Sequence, residues 1–385
     1  MRQVIIGLFL CIAISSSAQI NPSHTRISII TCGPGEDLYS LFGHTAIRVT
    51  DTVNHIDIVY NWGGFTFDQP YFYIKFMRGK LLYYSLADYY PDFMEEYAEE
   101  HRSVYEQVLN LDSAAKLGVI NAINHNMEGE NKFYKYDFLL DNCTTRVKNI
   151  LFENNTVKIT NNIVPDKTTS RDLIHYYLDR GSEPWTKLGI DILLGSRVDR
   201  VVTNDEAMFM PEFFMKGLSE AKKQNADFAQ KTTVLLQGSV PENNSEKYIP
   251  LIVLSIICLL VFFISRIQSS WAKTTIAFVD SLLLYTTGLL GVLILFMWFG
   301  TDHTVCKNNF NIAWAFPLNF PIAFVTFRKR AWLSNYFLIT AVITAILLAT
   351  WFWLPQQLNI ALLPVVILLL NRYVNLIDKY RRLSS

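Results

Sequence analysis

The sequence predicts an exported α+β domain followed by an all-α bundle of about five membrane-spanning helices. Three observations predict it. Charged residues crowd into the chain before Tyr248, and five long apolar runs follow. The first residues have the pattern of a secretory signal. The loops between the apolar runs carry their positive charge on alternate sides, as the topology demands. The chain has 385 residues, 51% hydrophobic, with zero formal net charge, too apolar for a disordered chain and without the basic excess that nucleic acid calls for.

Arg2 supplies the positive start of the signal, Val4 to Ile14 its apolar stretch, and Ser16 and Ala18 the small residues at cleavage spacing. The stretch is too short for a first anchor, and cleavage is expected after Ala18. Leu10 is bulky where a lipoprotein signal ending at Cys11 wants a small residue. The expected domains are signal peptide 1–18, periplasmic domain 19–236, linker 237–248, transmembrane domain 249–375 and cytoplasmic tail 376–385.

In the exported half, residues 26–31 alternate as a strand, and a Gly- and Pro-rich loop follows. His44 to Thr50 reads as a second strand and Ile56 to Trp62 as its partner, joined by a turn holding His55. Strand character continues through Leu81 to Leu86. Helices are expected over 90–111, over 113–127 with Asp112 or Ser113 as cap, over 136–152, over 170–179 capped by Ser170, and over 210–229.

The apolar runs are 249–264, 274–299, 312–327, 336–354 and 358–374. Several approach the ~20 residues that cross a ~30 Å hydrocarbon core, while the first and third are short. With the first domain outside, the inner gaps hold Arg266 and Lys273, then Arg328, Lys329 and Arg330, and the tail holds Lys379, Arg381 and Arg382; the outer loops hold only Lys307. Trp298, Trp314, Trp332, Trp351 and Trp353 fit an interfacial belt. Asp280 lies inside the second span, where a carboxylate usually faces protein. The outer loop gathers Asp302, His303, Asn308 and Asn311, as a solvated loop or as a polar site at headgroup level.

Five cysteines make no disulfide framework. A Cys32–Cys143 bridge and a free, working thiol are the alternatives. A thiol nucleophile needs a nearby base, and a helix N-terminus lowers its pKa. Cys143 stands near the start of an expected helix, and His44 opens a strand behind Gly43. Spacing alone does not bring them together; on spacing alone a buried structural Cys and a core His are the default reading.

The segments Leu41-Phe42-Gly43-His44-Thr45-Ala46 and Asp141-Asn142-Cys143-Thr144-Thr145-Arg146, with the outer-loop Thr301-Asp302-His303, resemble the Lnb-type lipoprotein N-acyltransferases of Bacteroidetes, over nearly the whole chain. The exported domain is also similar in logic to circularly permuted papain-like enzymes, the NlpC-type hydrolases and lecithin:retinol acyltransferase, in which the His strand precedes the nucleophile helix in related order. The sequence departs from the latter after Asn142-Cys143. The resemblance implies a bacterial inner-membrane, multi-pass acyltransferase with its N-terminal domain in the periplasm, no cofactor and no metal. It implies Cys143 as nucleophile and His44 as base. Asn61 is the first choice for the residue that orients His44, with Glu36 and Asp137 as alternatives. Asn142, Arg146, Asp302, His303 and Glu36 are expected on the substrate side. The implied donor is a phospholipid or lipidated protein, and the acceptor a lipoprotein N-terminal diacylglyceryl-cysteine. A membrane-anchored cysteine peptidase or amidase, and a non-enzymatic sensor or scaffold, are the rival readings.

Overall fold

Seven antiparallel strands form the centre of the first domain, in the order β10-β5-β1-β2-β3-β4-β6. The computed structural model describes residues 22–239, 246–328 and 330–382. The expected signal peptide 1–18, residues 240–245 of the expected linker, Lys329 and residues 383–385 of the expected tail lie outside the described residues. The strands are β1 (Thr25–Cys32), β2 (His44–Asp51), β3 (Ile56–Gly64), β4 (Leu82–Tyr89), β5 (Val104–Val108), β6 (Phe133–Lys135) and β10 (Thr233–Leu236). A small separate sheet holds β7 (Lys158–Ile159), β8 (Ala221–Lys223) and β9 (Ala226–Asp227).

The sheet is covered on both faces. Alternation along a strand sends Ile27, Ile29, Ile47 and Val49 to one side, and they form the main core with helices α3 (Ser113–Met127), α4 (Cys143–Glu153), α5 (Ser170–Arg180) and α8 (Pro211–Glu220). Ile30, Cys32, Ala46 and Val59 face the other way, onto Phe93 and Tyr97 of α2 (Tyr90–Glu99). Three short helices complete the domain: α1 (Phe72–Met77), α6 (Pro184–Leu193) and α7 (Asn204–Ala207).

Three expected helices change. The 90–111 helix ends at Glu99, and Val104–Val108 becomes a strand paired with β1. The 136–152 helix begins only at Cys143, because Asp137 accepts the N–H groups of Leu139 and Leu140 (3.0 Å each) and turns the chain. The 210–229 helix stops at Glu220 and continues as the β8–β9 hairpin. Thr169 caps α5, one residue before the expected Ser170.

In the second half, α10 (Ser270–Phe299), α12 (Trp332–Thr350) and α13 (Leu363–Arg381), extended by a 3-10 turn from Ile360, are long and apolar enough to cross a membrane. Helix α13 runs on through most of the expected tail. The first run, α9 (Ile249–Ile264), has 16 residues and spans about 24 Å. The third run is not a single helix, contrary to expectation: it begins in a 3-10 turn at Phe310–Ala313 and holds only a short α11 (Asn319–Ala323), after an outer loop with its own 3-10 turn at Thr304–Cys306.

Irregular backbone at membrane depth must be sheltered by protein. Here α10 shelters it. A Cβ on Gly288 would stand 2.0 Å from Phe320 N, and one on Gly291 2.0 Å from Ala315 O. Asn319 then closes a polar node: its amide donates to Thr287 Oγ1 (3.1 Å) and Tyr373 Oη (2.8 Å) and accepts from Tyr336 Oη (2.7 Å). One side chain thus ties together α10, α12 and α13. Gly291→Val is expected to lower stability by ~3 kcal/mol or more, since no side chain can yield to backbone at that distance. Thermal unfolding in detergent, monitored by size-exclusion profile, checks this.

Asp280 faces protein and forms a two-pronged pair with Arg372 of α13 (2.6 and 3.0 Å). The tryptophan belt holds only in part. Trp353 is 81% exposed, but Trp314 and Trp351 are buried, and Trp314 Nε1 donates to Asn311 Oδ1 (2.8 Å).

The two halves lock at the end of α6. A helix C-terminus leaves carbonyls without intrahelical partners. Asn311 donates to Asp191 O (3.0 Å), Asn309 to Ile192 O and Leu193 O (2.8 and 3.0 Å), and Gln356 to Leu194 O (2.8 Å). The membrane half therefore caps a helix of the exported half. The outer loop is docked there rather than solvated.

Candidate active site

The first turn of α4 sets the position of Cys143. Asn142 is its N-cap: Oδ1 accepts from Thr145 N–H (2.9 Å), and Thr145 Oγ1 accepts from Asn142 N–H (2.8 Å). The Asn142 amide also donates to Phe138 O (2.8 Å) and Phe209 O (3.0 Å). Its side chain is buried and used by the protein, so it anchors the turn that carries Cys143 and is not free for substrate, contrary to the expectation that placed it on the substrate side.

Strand β2 brings in His44. Gly43 precedes it with φ +76°, and a Cβ there would meet Cys32 O at 2.6 Å. Only glycine takes this bend without strain. Gly43→Ala is expected to lower stability by ~2 kcal/mol and to slow alkylation of Cys143 by displacing His44, read by differential scanning and by labelling rate. Thr45 pins the strand to the helix through its hydroxyl, 3.0 Å from Thr144 Oγ1.

Asn61 comes from β3. Ala46 is registered against Asn61, and His44 shares a face with Ala46, so amide and imidazole stand diagonally across the strands. His44 Nε2 lies 2.9 Å from Asn61 Oδ1. The Asn61 amide nitrogen donates to Asp88 Oδ2 (2.8 Å), which fixes the oxygen toward His44. Nε2 therefore carries the proton that Asn61 accepts, and Nδ1 is the ring nitrogen left for the thiol.

Burial opposes charge on both members of this pair. Their mutual attraction and hydrogen bond prevail, helped by the Thr45 N–H and the Thr144 hydroxyl on the sulfur side. The Cys143 thiol falls to about 7. His44 rises above its ordinary value for the reciprocal reason: the Cys143 charge and hydrogen bond outweigh desolvation. Cys32 contrasts with it. Burial pushes its thiol up to about 12, and both cysteines are free, so the expected alternative of a Cys32–Cys143 bridge does not hold. The alkylation rate of Cys143 by iodoacetamide should rise with pH through a midpoint near 7, because the thiolate forms there. His44→Ala should move that midpoint up toward the ordinary thiol range.

The other expected residues are placed as follows. Asp137 accepts from Thr304 Oγ1 of the outer loop (2.7 Å) and does not orient His44. Glu36 is exposed on the loop after β1. Arg146 forms a two-pronged pair with Asp141 (2.6 and 2.9 Å) and lies 3.7 Å over the Tyr134 ring, a locked arrangement. Asp302 N–H donates to Arg78 O (2.9 Å) and its carboxylate lies 3.9 Å from Lys135 Nζ. His303 Nε2 lies 3.1 Å from Phe76 O. These two therefore contact α1 and its following turn. Asp88 was not foreseen: it sits in an alternating strand, Leu82–Tyr89, with no motif around it.

Residues 15–179 match the family described as the Lnb N-terminal periplasmic domain, and residues 242–383 match the Lnb transmembrane domain. No curated protein and no solved structure matched the chain. With a periplasmic α+β domain, the transmembrane helices that follow it, and both halves matched in order, the chain belongs to the Lnb family.

Proposed function

We propose that the protein is a lipoprotein N-acyltransferase working through a Cys143 thioester. The observation that carries this reading is the Cys143–His44–Asn61 line, with its thiol depressed to about 7. Thiolate Cys143 attacks an ester carbonyl of a membrane lipid. The S–C bond forms, the C–O bond breaks, and His44 gives its proton to the leaving alkoxide oxygen. The N–H groups of the first turn of α4 are suited to hold the developing oxyanion. The α-amine of a diacylglyceryl-cysteine then attacks the thioester. The C–N bond forms, the C–S bond breaks, and the amine proton passes to His44, restoring the starting pair. Asn61 keeps the imidazole in the tautomer that presents Nδ1 to sulfur.

The order of His strand, amide strand and nucleophile helix, with the thiol at the helix N-terminus, supports reading the first domain as a circularly permuted papain-like fold. A membrane half that caps α6 and touches the turn before Cys143 favours lipid substrates over soluble cell-wall peptides, since acyl chains leave a bilayer at ~0.8 kcal/mol per CH₂. The donor, acceptor and domain limits belong to this proposal. It is tested in a strain whose lipoproteins depend on this protein alone. Mass spectrometry of lipoprotein N-termini should show triacylated or otherwise N-acylated cysteine with the native chain and free α-amines with Cys143→Ala; N-acylation persisting with Cys143→Ala rejects the mechanism.

A further inference from the structure

An apolar cluster near α1 has no role in the scheme above. Phe67, Tyr71, Tyr73, Ile74, Phe76 and Met77 lie together in sequence and are 43 to 77% exposed. Single exposed apolar residues are ordinary, but a continuous group of this kind marks an interaction surface. Its place in the fold says what covers it. Helix α10 leaves the apolar zone at Phe299, itself 73% exposed. Three residues on, Asp302 N–H donates to Arg78 O, and His303 meets Phe76 O. Gly79, at φ +65°, leaves room for that contact, since a Cβ would stand 3.3 Å from His303 N. Residues 76–79 are therefore held at the level where α10 emerges. Lys75, Arg78 and Lys80 accompany the apolar residues, the mixture that seats an element among lipid headgroups.

Behind the exposed rings runs a line of further aromatics. Phe72, the buried residue of α1, has its ring 4.8 Å from Phe67 and 6.0 Å from Phe65. Phe65 is 5.5 Å from Tyr83, and Tyr83 is 4.7 Å from Tyr136. Tyr136 and Cys143 pack against the same core cluster, at the two ends of the turn that leads into α4. We propose that α1 and the segment before it sit in the outer leaflet of the membrane, and that the line Phe72–Phe65–Tyr83–Tyr136 guides a lipid acyl chain from that leaflet to Cys143. The membrane contact stands on placement and exposure; what travels along the line rests on the acyl-transfer reading.

The test uses the full chain in nanodiscs of phosphatidylethanolamine and phosphatidylglycerol. A photo-crosslinking benzoylphenylalanine replaces Phe76, and in a control Val53, which is exposed in the turn at the opposite end of β2 from His44. Intact mass should show phospholipid adducts at 76 at least ~10-fold above those at 53, and Ile74→Asp with Tyr73→Asp should cut Cys143 acylation from vesicle phospholipid ~10-fold while turnover of a soluble short-chain p-nitrophenyl ester stays within ~2-fold. Equal adducts at the two positions overturn the proposal, as does equal loss on both substrates; Cys143-dependent ester turnover then still stands. If Cys143→Ala turns over the soluble ester like the native chain, the acyl-transfer reading itself fails, and the path to Cys143 with it.

Discussion

Replacing Cys143 by alanine is expected to lower acyl transfer to a diacylated lipopeptide by ~10³-fold or more, with the melting temperature nearly unchanged. The thiol is half-buried at the start of α4, and the helix is held by the Asn142–Thr145 box rather than by the sulfur. Removing it leaves the backbone in place. His44→Ala should cost about as much, because it removes both the base and the charge that brings the thiol to about 7. Its signature differs: the remaining activity should climb with pH as the unassisted thiol ionises higher. Asn61→Ala should cost less, ~10- to 100-fold, since it loosens the imidazole without deleting it. Activity of the three variants across pH, beside their melting curves, checks the series. A Cys143→Ala chain with native melting and native turnover contradicts the site.

Arg171→Ala is expected to lower stability by ~3 to 5 kcal/mol. Arg171 is fully buried and holds two carboxylates, Asp191 (2.6 Å) and Asp199 (2.7 and 3.0 Å). Its second terminal nitrogen also reaches Leu194 O and Gly195 O. Removing it strands buried negative charge at the junction, where Asn359 of the membrane half donates to Asp191 Oδ2 (2.8 Å). Exposed Arg200, 3.8 Å from Glu206, is the contrast: Arg200→Ala should change stability by no more than ~0.5 kcal/mol. Thermal unfolding of the purified full chain separates the two, and a loss under ~1 kcal/mol for Arg171→Ala contradicts the account of the junction. The same cluster has a pH sign. Burial raises Asp191, but the His175 hydrogen bond and the charges of His175 and Arg171 more than offset it, so its carboxyl is held below the usual range. The stability it adds is fully present above the ordinary carboxylate pKa and is lost as pH falls through its lower folded value.

Local chemistry was legible in the sequence. The alternation of β1 and β2, the turn at 51–55 and the signal of β3 are all where the pattern put them, because each rests on neighbouring residues. His44, Cys143 and Asn61 were legible as types, and the fold brings them into one line. Features set by distant partners were less so. Val104–Val108 is a strand because β1 and β10 flank it, and its charged, aromatic neighbourhood had looked helical. The true start of α4 is hidden by Phe138 and Leu139, which continue a helical apolar period through a turn. Hydropathy reports burial and not backbone path, so the third membrane run looked like a helix and Trp314 and Trp351 like belt residues. Asn309 and Gln356 had no motif at all, yet they cap α6 across the junction.

The most direct measurement is the intermediate itself. The purified chain is incubated with phospholipid bearing a labelled acyl chain, without acceptor, and digested for mass spectrometry. The account predicts one labelled acyl group on the peptide that contains Cys143, released by neutral hydroxylamine and discharged by a diacylated lipopeptide with a free α-amine. Label elsewhere, or acyl transfer proceeding at the native rate with Cys143 unmodified throughout, contradicts it.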